Sequence, residues 1–337
     1  MLSPAGVESV LGARVVDWVP VRPWAVARVL LDDGRRVVVK GDRGVHRTAG
    51  RPEREAAALR LLAEGLGVVV APGVLAAGSS WVVMEDLSPR VALDGLIRRD
   101  GVGPHRGRLE AFARVLGTLG AVSAGRVSSF GPREWPPAGL PAGLLEAGVA
   151  LEGAALREFG LAVGVLAEPG PFEALSHGDA EANNVLVCAL GEPDERLIDF
   201  ELSGRAHAVL DAVGFHVPGP AWMAVGGAGE VYRRALAAGV AQAEDDRVYG
   251  EALGAACLMW AVARLRRWPV LDGRPAGDDS RVQLVSTLEA AAGVAQVWRV
   301  WPALSGWAWR VSAWLRRRWA DADVDVAALA PYTVRRG

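Results

Sequence analysis

An α+β fold of two lobes, sheet-rich to about residue 87 and mainly helical from 88 to 337, is what the sequence predicts. Three observations carry it. Before residue 87, apolar β-branched runs alternate with short turns containing Gly and Asp, the pattern of antiparallel hairpins. From Val91 onward, apolar residues recur at helical spacing. Late in the chain one further hairpin signal, at residues 185–200, begins and ends in polar groups.

With 337 residues the chain is long enough for two hydrophobic cores. A composition 51% apolar and 23% charged is that of a globular protein. A net charge of −2 offers no electrostatic footing for nucleic acid or an acidic membrane. Cys188 and Cys257 sit in apolar runs and are too few for a disulfide framework, so they read as buried thiols in a reducing compartment. The first residues lack a basic region followed by an apolar one, so no export signal is expected. One long uncharged stretch, residues 212–229, holds five Gly and two Pro, so no membrane helix is expected there. A cytoplasmic location follows as the expectation.

Residues 26–31, the turn Asp32-Asp33-Gly34 and residues 37–40 form the first predicted hairpin, whose returning strand ends in Lys40. Lys40 is the only lysine among 37 basic residues. In a chain that uses arginine wherever any cation serves, a lone lysine marks a place that needs a compact ammonium. Pro52 followed by Glu53 and Glu55 is a helix start. Glu55, Leu59 and Leu62 then share the apolar face, so the carboxylate points inward and needs a cation, for which Lys40 is the candidate. Residues 68–75 and 81–84 read as a second hairpin around Gly78-Ser79-Ser80, running into Glu85-Asp86-Leu87. Leu109, Phe112, Ala113, Leu116 and Leu119 mark a core helix. Residues 130–143 read as a loop, and 144–166 as a helix or helix pair ended by Pro169-Gly170-Pro171.

The chemistry is concentrated in Ser176-His177-Gly178-Asp179-Ala180-Glu181-Ala182-Asn183-Asn184 and in Leu197-Ile198-Asp199-Phe200-Glu201. Asn183 and Asn184 are the only asparagines in the chain. Residues 185–189 and 196–200 read as paired strands around a turn at 191–194, which makes Asn184 and Asp199 cross-strand neighbours. Two oxygen ligands at one mouth, with the Asp179 carboxylate just upstream, form a hard-cation site beside a base. Glu201 follows Asp199 by two, so in a strand both face one side; Glu201 then assists the metal or projects into solvent.

The His-Gly-Asp, the Asn five residues after its Asp, and the Ile-Asp-Phe-Glu resemble the signature of the aminoglycoside phosphotransferase and choline kinase family, small-molecule kinases of the bilobal protein-kinase-like fold. The resemblance implies an N-lobe over residues 1–87 that binds nucleotide. It implies a C-lobe over 88–337 with the catalytic loop, the metal site and a helical acceptor-binding region. It implies ATP, with GTP not excluded, Mg²⁺, and transfer to a hydroxyl of a small molecule, an antibiotic such as an aminoglycoside or a related natural-product or metabolite alcohol. By the resemblance, Lys40 braced by Glu55 holds the phosphates, and backbone groups of Glu85 and Leu87 meet the purine. Asn184 and Asp199 would bind Mg²⁺, and Asp179 would be the catalytic base. Asp211 resembles the aspartate that props the catalytic loop, an ordinary helix-surface role being the alternative.

One part of the pattern is missing. Residues 18–25, where a Gly-rich phosphate loop would lie, contain no glycine, leaving Arg22, Arg43 or Arg47 to assist. This favours the rival reading, a catalytically weak nucleotide-binding regulatory module on the same fold. The short span from Asp199 to Asp211 leaves no room for a segment that docks a peptide, which favours a small acceptor. His207 and His216 have no metal-ligand spacing and read as structural. The region 230–320 is helical and rich in tryptophan, mostly as core, where an exposed cluster would serve a homodimer. Arg316-Arg317-Arg318 reads as a solvated helix face, and Glu244-Asp245-Asp246 as a solvated helix start.

Overall fold

The structure, a computed structural model, describes residues 2–22, 25–42, 51–133, 149–192, 194–218, 227–276 and 279–324. These fall into two compact units. One is drawn from residues 1–93, 177–179 and 183–203, and the other from 94–176, 180–182 and 204–337.

In the first unit, helix α1 (Pro4–Leu11) starts where the Ser3 hydroxyl accepts the Gly6 N–H at 3.2 Å. Strands β1 (Val15–Arg22), β2 (Val26–Leu31), β3 (Arg36–Gly41), β4 (Val74–Gly78) and β5 (Trp81–Glu85) form an antiparallel sheet in the order β1-β2-β3-β5-β4. The first predicted hairpin is present, with Val29 opposite Val37 and Val26 opposite Lys40. Alternation along the strands sends Val29, Leu31, Val37, Val39 and Val83 to one face, where they pack with Val7 of α1. Val26, Arg28, Val38 and Lys40 therefore share the other face.

The second hairpin starts later than the sequence suggests. Residues 68–73 are not a strand: Pro72 has no N–H for a ladder, and the Val70 carbonyl accepts the Leu197 N–H at 2.8 Å. Helix α2 (Arg51–Arg60) runs on into a wider π-type turn, Leu61–Gly65, and buries Glu55, Leu59 and Leu62 as their spacing requires. The strand Val185–Val187 pairs with both β6 (Val91–Ala92) and the strand Arg196–Leu197.

In the second unit, helices α3 (Leu93–Asp100, its first residue in the other unit), α4 (Arg106–Ser123), α5 (Gly153–Ala167) and α6 (Ala228–Ala237) precede α7 (Asp246–Leu265). After it come α8 (Trp268–Asp272), α9 (Asp279–Val297) and α10 (Pro302–Arg318). The α4 stripe is buried as expected, and Gly117 lets α6 approach so closely that a Cβ there would lie 2.4 Å from the Tyr232 carbonyl oxygen. Of the predicted helix or helix pair over 144–166, residues 153–166 are seen in α5 and residues 149–152 are not helical; residues 134–148, with most of the expected loop, lie outside the described residues.

Asp245 caps α7 by accepting the Arg247 and Val248 N–H groups at 2.9 and 3.0 Å, the helix start expected there. Among the described residues α7 is the one helix long and apolar enough to cross a membrane, and 72% of its apolar window is buried inside the protein. Trp301, Trp307 and Trp319 are buried, and of the eight C-terminal tryptophans only Trp309 is exposed. Two of the three terminal arginines are tied to carboxylates: Arg316 to Glu289 with two bonds of 2.8 Å, and Arg318 to Asp272 at 2.7 and 2.6 Å, while Arg317 is exposed. His207 stacks on Phe172 at 4.8 Å between ring centres. Burial pulls its pKa down to about 3 and that of His216 down to about 4, so both are neutral packing groups.

Candidate active site

The face of the sheet carrying Val26, Arg28, Val38 and Lys40 opens onto a cavity of about 460 Å³. Its apolar walls come from Val26, Val38, Met84, Leu87, Leu186 and Ile198, and its polar end from Lys40, Glu55, Asn184 and Asp199. Lys40 is at the end of β3 because the strand's period of two places it beside Val38, with Val37 and Val39 in the core behind.

Glu55 comes from the inward face of α2. One of its oxygens lies 2.8 Å from the Lys40 ammonium, and the other accepts the Phe200 N–H at 3.3 Å. The ammonium also touches the Asp199 carboxylate and lies 2.9 Å from Glu201 Oε2. The outer oxygen of Glu201 is held by Arg51 at 2.8 Å. Burial alone would lower the Lys40 pKa, but Glu55, Asp199 and Glu201 outweigh it and hold the amine charged well above its ordinary range. The Glu55 pKa is raised, first by burial, which Lys40 offsets in part. Among the described residues, the three carboxylates Glu55, Asp199 and Glu201 are grouped around the Lys40 ammonium, with Arg51 on the far oxygen of Glu201.

Asp199 has φ 69°, the left-handed region that few residues other than glycine enter, and the chain there turns from the strand Arg196–Leu197 into the turn Phe200–Leu202. This corrects the expected hairpin. The strands are shorter than 185–189 and 196–200, and Asn184 stands opposite Ile198, whose N–H it accepts at 2.9 Å. Asp199 comes one residue later, already in the turn.

Asn184 is buried; its amide donates at 2.9 Å to both the backbone carbonyl and the Oδ2 of Asp179, while its Oδ1 accepts from Asn183 at 2.8 Å. Asp179 is half-buried and joins the cluster through this bond rather than by lining the cavity. His177 is fully buried: it accepts the Asp179 N–H on Nδ1 at 3.3 Å, which leaves Nε2 to donate to the Ile198 carbonyl at 2.9 Å. In the second unit, Asp211 is buried and accepts the hydroxyl of Ser176, the residue before His177, at 2.8 Å. A surface role is thereby excluded for Asp211.

At the apolar end, Glu85 and Leu87 line the cavity. The Glu85 N–H is taken by the Gly73 carbonyl at 2.9 Å and is not available to a ligand. The Leu87 N–H has no acceptor among the described residues. Between them the Asp86 carboxylate accepts the Ser88 N–H and hydroxyl at 3.0 and 2.9 Å and closes the turn. Arg43, Arg47 and the side chain of Arg22 lie outside the described residues. The sequence reading did not single out Arg51 or Arg28, and nothing in a chain crowded with arginine marks them.

A sheet presenting an enclosed lysine–carboxylate pair, followed by an Asp–Asn loop, a short hairpin and a mainly helical unit, is the architecture of protein-kinase-like phosphotransferases. Residues 24–250 match the phosphotransferase enzyme family (APH), and the chain belongs to it. It is therefore an enzyme of the small-molecule kinase class. Solved structures agree on the fold. An aminoglycoside phosphotransferase from Alicyclobacillus acidocaldarius superposes with a TM-score of 0.52 at 15% identity, over 95% of this chain and 97% of its own. A thermostable mutant of aminoglycoside phosphotransferase APH(4)-Ia, in a ternary complex with ADP and hygromycin B, gives 0.52 at 14% identity, over 88% and 98%. A choline/ethanolamine kinase family protein from Mesorhizobium loti gives 0.51 at 20% identity, over 86% and 89%. Curated protein sequences give no match.

Proposed function

We propose that the protein transfers the γ-phosphoryl group of ATP to a hydroxyl of a small molecule, either an antibiotic such as an aminoglycoside or a related natural-product or metabolite alcohol. The observation that carries this is the meeting of Lys40, Glu55, Asn184 and Asp199 on one cavity whose remaining walls are mostly apolar. A purine suits the apolar end, where the Glu85 carbonyl and the Leu87 N–H offer an acceptor and a donor. The phosphates suit the end that holds the ammonium.

The donor set also fits Mg²⁺. Asn184 and Asp199 supply hard oxygen ligands, and the Glu55, Asp199 and Glu201 carboxylates stand within 4.8 Å of one another, close enough to share a cation. When bound, the ion would neutralise charge on the phosphates. Asn184 and Asp199 would hold it, and Lys40, braced by Glu55, would orient the phosphates. Asp179, aligned by its bond from Asn184, would accept or orient the proton of the acceptor hydroxyl. The test is ATP consumption against a panel of hydroxylated acceptors, with the Asp179→Asn variant beside the parent. Turnover is expected to vanish while ADP still binds; unchanged turnover in the variant would remove Asp179 from the reaction.

A further inference from the structure

We propose that Glu201 is a latch on the phosphate seat of Lys40, and that Arg51 is the positioning residue that receives it when phosphate arrives; this rests on the nucleotide reading above. A lysine ammonium has three N–H donors and no acceptor. Here three carboxylates crowd the ammonium: Glu55 at 2.8 Å, Glu201 at 2.9 Å, and Asp199, which accepts one of its N–H groups. A phosphate oxygen approaching the amine competes with them for its charge and its donors.

The three differ in how readily they leave. The Glu55 side chain is 2% exposed and holds the Phe200 N–H with its other oxygen, so its departure would strand a buried charge. Asp199 has a short side chain set by a left-handed backbone residue. Glu201 has the longer side chain, and its second oxygen is already on another cation. The planar Arg51 fork can take both oxygens of a carboxylate. A rotation at the end of the Glu201 side chain thus moves it from a shared pairing to one held wholly by Arg51, keeping its charge compensated while freeing a donor on Lys40. Without Arg51 the released carboxylate has lost that destination.

The experiment is calorimetric titration of the full chain with ADP, in EDTA and again with Mg²⁺, for the parent, Glu201→Gln, Arg51→Ala and the double variant. In EDTA, Glu201→Gln is expected to bind ADP roughly tenfold more tightly, the scale of one charged hydrogen bond. Arg51→Ala is expected to bind several-fold more weakly, with Arg51→Lys recovering part of the loss. In the double variant the Arg51 effect should disappear, since there is no longer a charged latch to receive. ADP binding by Glu201→Gln no tighter than the parent's, or an Arg51→Ala loss of equal size in both backgrounds, would overturn the proposal. If Glu201→Gln weakens binding only with Mg²⁺, Glu201 is a metal ligand and the latch is overturned. Absence of ADP binding in every protein and both buffers would instead overturn the nucleotide reading, and the latch with it.

Discussion

The imidazole of His177 donates to the Ile198 carbonyl at 2.9 Å, which ties the loop carrying Asp179 to the residue before Asp199. The same ring lies 4.6 Å from that of Phe200, the residue after Asp199. The two polar segments are thereby aligned by a buried aromatic contact and by this bond together with the one from the Ile198 N–H to the Asn184 carbonyl, and the placement of Asp179 depends on the path of the chain between them.

Gly178 is the tightest point of that path. Its φ is 88°, and a Cβ there would lie 2.1 Å from the Leu202 carbonyl oxygen. Gly178→Ala combines left-handed strain with a backbone clash, and is expected to lower unfolding stability by roughly 3 kcal/mol or more. Urea unfolding measures it. A loss under about 0.5 kcal/mol would mean that the loop has another route past Leu202.

Lys40→Arg keeps the charge but replaces a compact ammonium with a planar fork in an enclosed seat. ADP affinity is expected to fall at least about tenfold. Lys40→Met should in addition cost about 2–4 kcal/mol of stability, because three carboxylates lose their shared cation. That cost should shrink as pH falls. The Glu55 pKa is raised, first by burial, so its neutral form favours folding: stability is present below its unfolded value of 4.5 and is lost as pH rises through the folded one. Denaturation series at several pH values, beside ADP titrations, check both effects. Parent-like ADP binding by Lys40→Arg would show that shape at this position does not matter.

His207 and His216 make the second unit sensitive to acid. Their pKa values are depressed, so their contribution is present above the unfolded value of 6.5 and is lost as pH falls towards about 4 for His216 and about 3 for His207. Among the described residues His216 Nε2 is buried with no partner, so no hydrogen bond offsets the cost of protonating it. Stability should decline by up to about 1.4 kcal/mol per pH unit for each histidine. His216→Leu, whatever its effect at neutral pH, is expected to remove about half of that slope between pH 6 and 4. An unchanged slope would place the acid sensitivity elsewhere.

Residues whose type is rare in this chain were the legible ones. The single lysine and the paired asparagines stand out in an Arg-, Ala- and Val-rich background, and helical spacing alone turned Glu55 inward towards Lys40. Glu201 was legible in part: the sequence set it beside Asp199 as a candidate metal helper, and the two stand close enough with Glu55 to share a cation, but its contact with Lys40 depends on the turn at Asp199. Arg51 was hidden by abundance, because one more arginine near a helix start carries no information. The late start of β4 depends on the Val70–Leu197 hydrogen bond, a contact between distant segments that no local pattern encodes.

Glu55 ties α2 and the end of β3 to a backbone N–H at residue 200, and Lys40 meets a carboxylate 159 positions away. The amino-terminal sheet is thus not a self-sufficient module. During synthesis it stays incomplete until residues 183–203 have emerged, and until then the Lys40–Glu55 pair lacks Asp199, Glu201 and the Phe200 N–H. A fragment cut after residue 93 would keep every strand of the five-stranded sheet, yet lack the segment that closes its polar end.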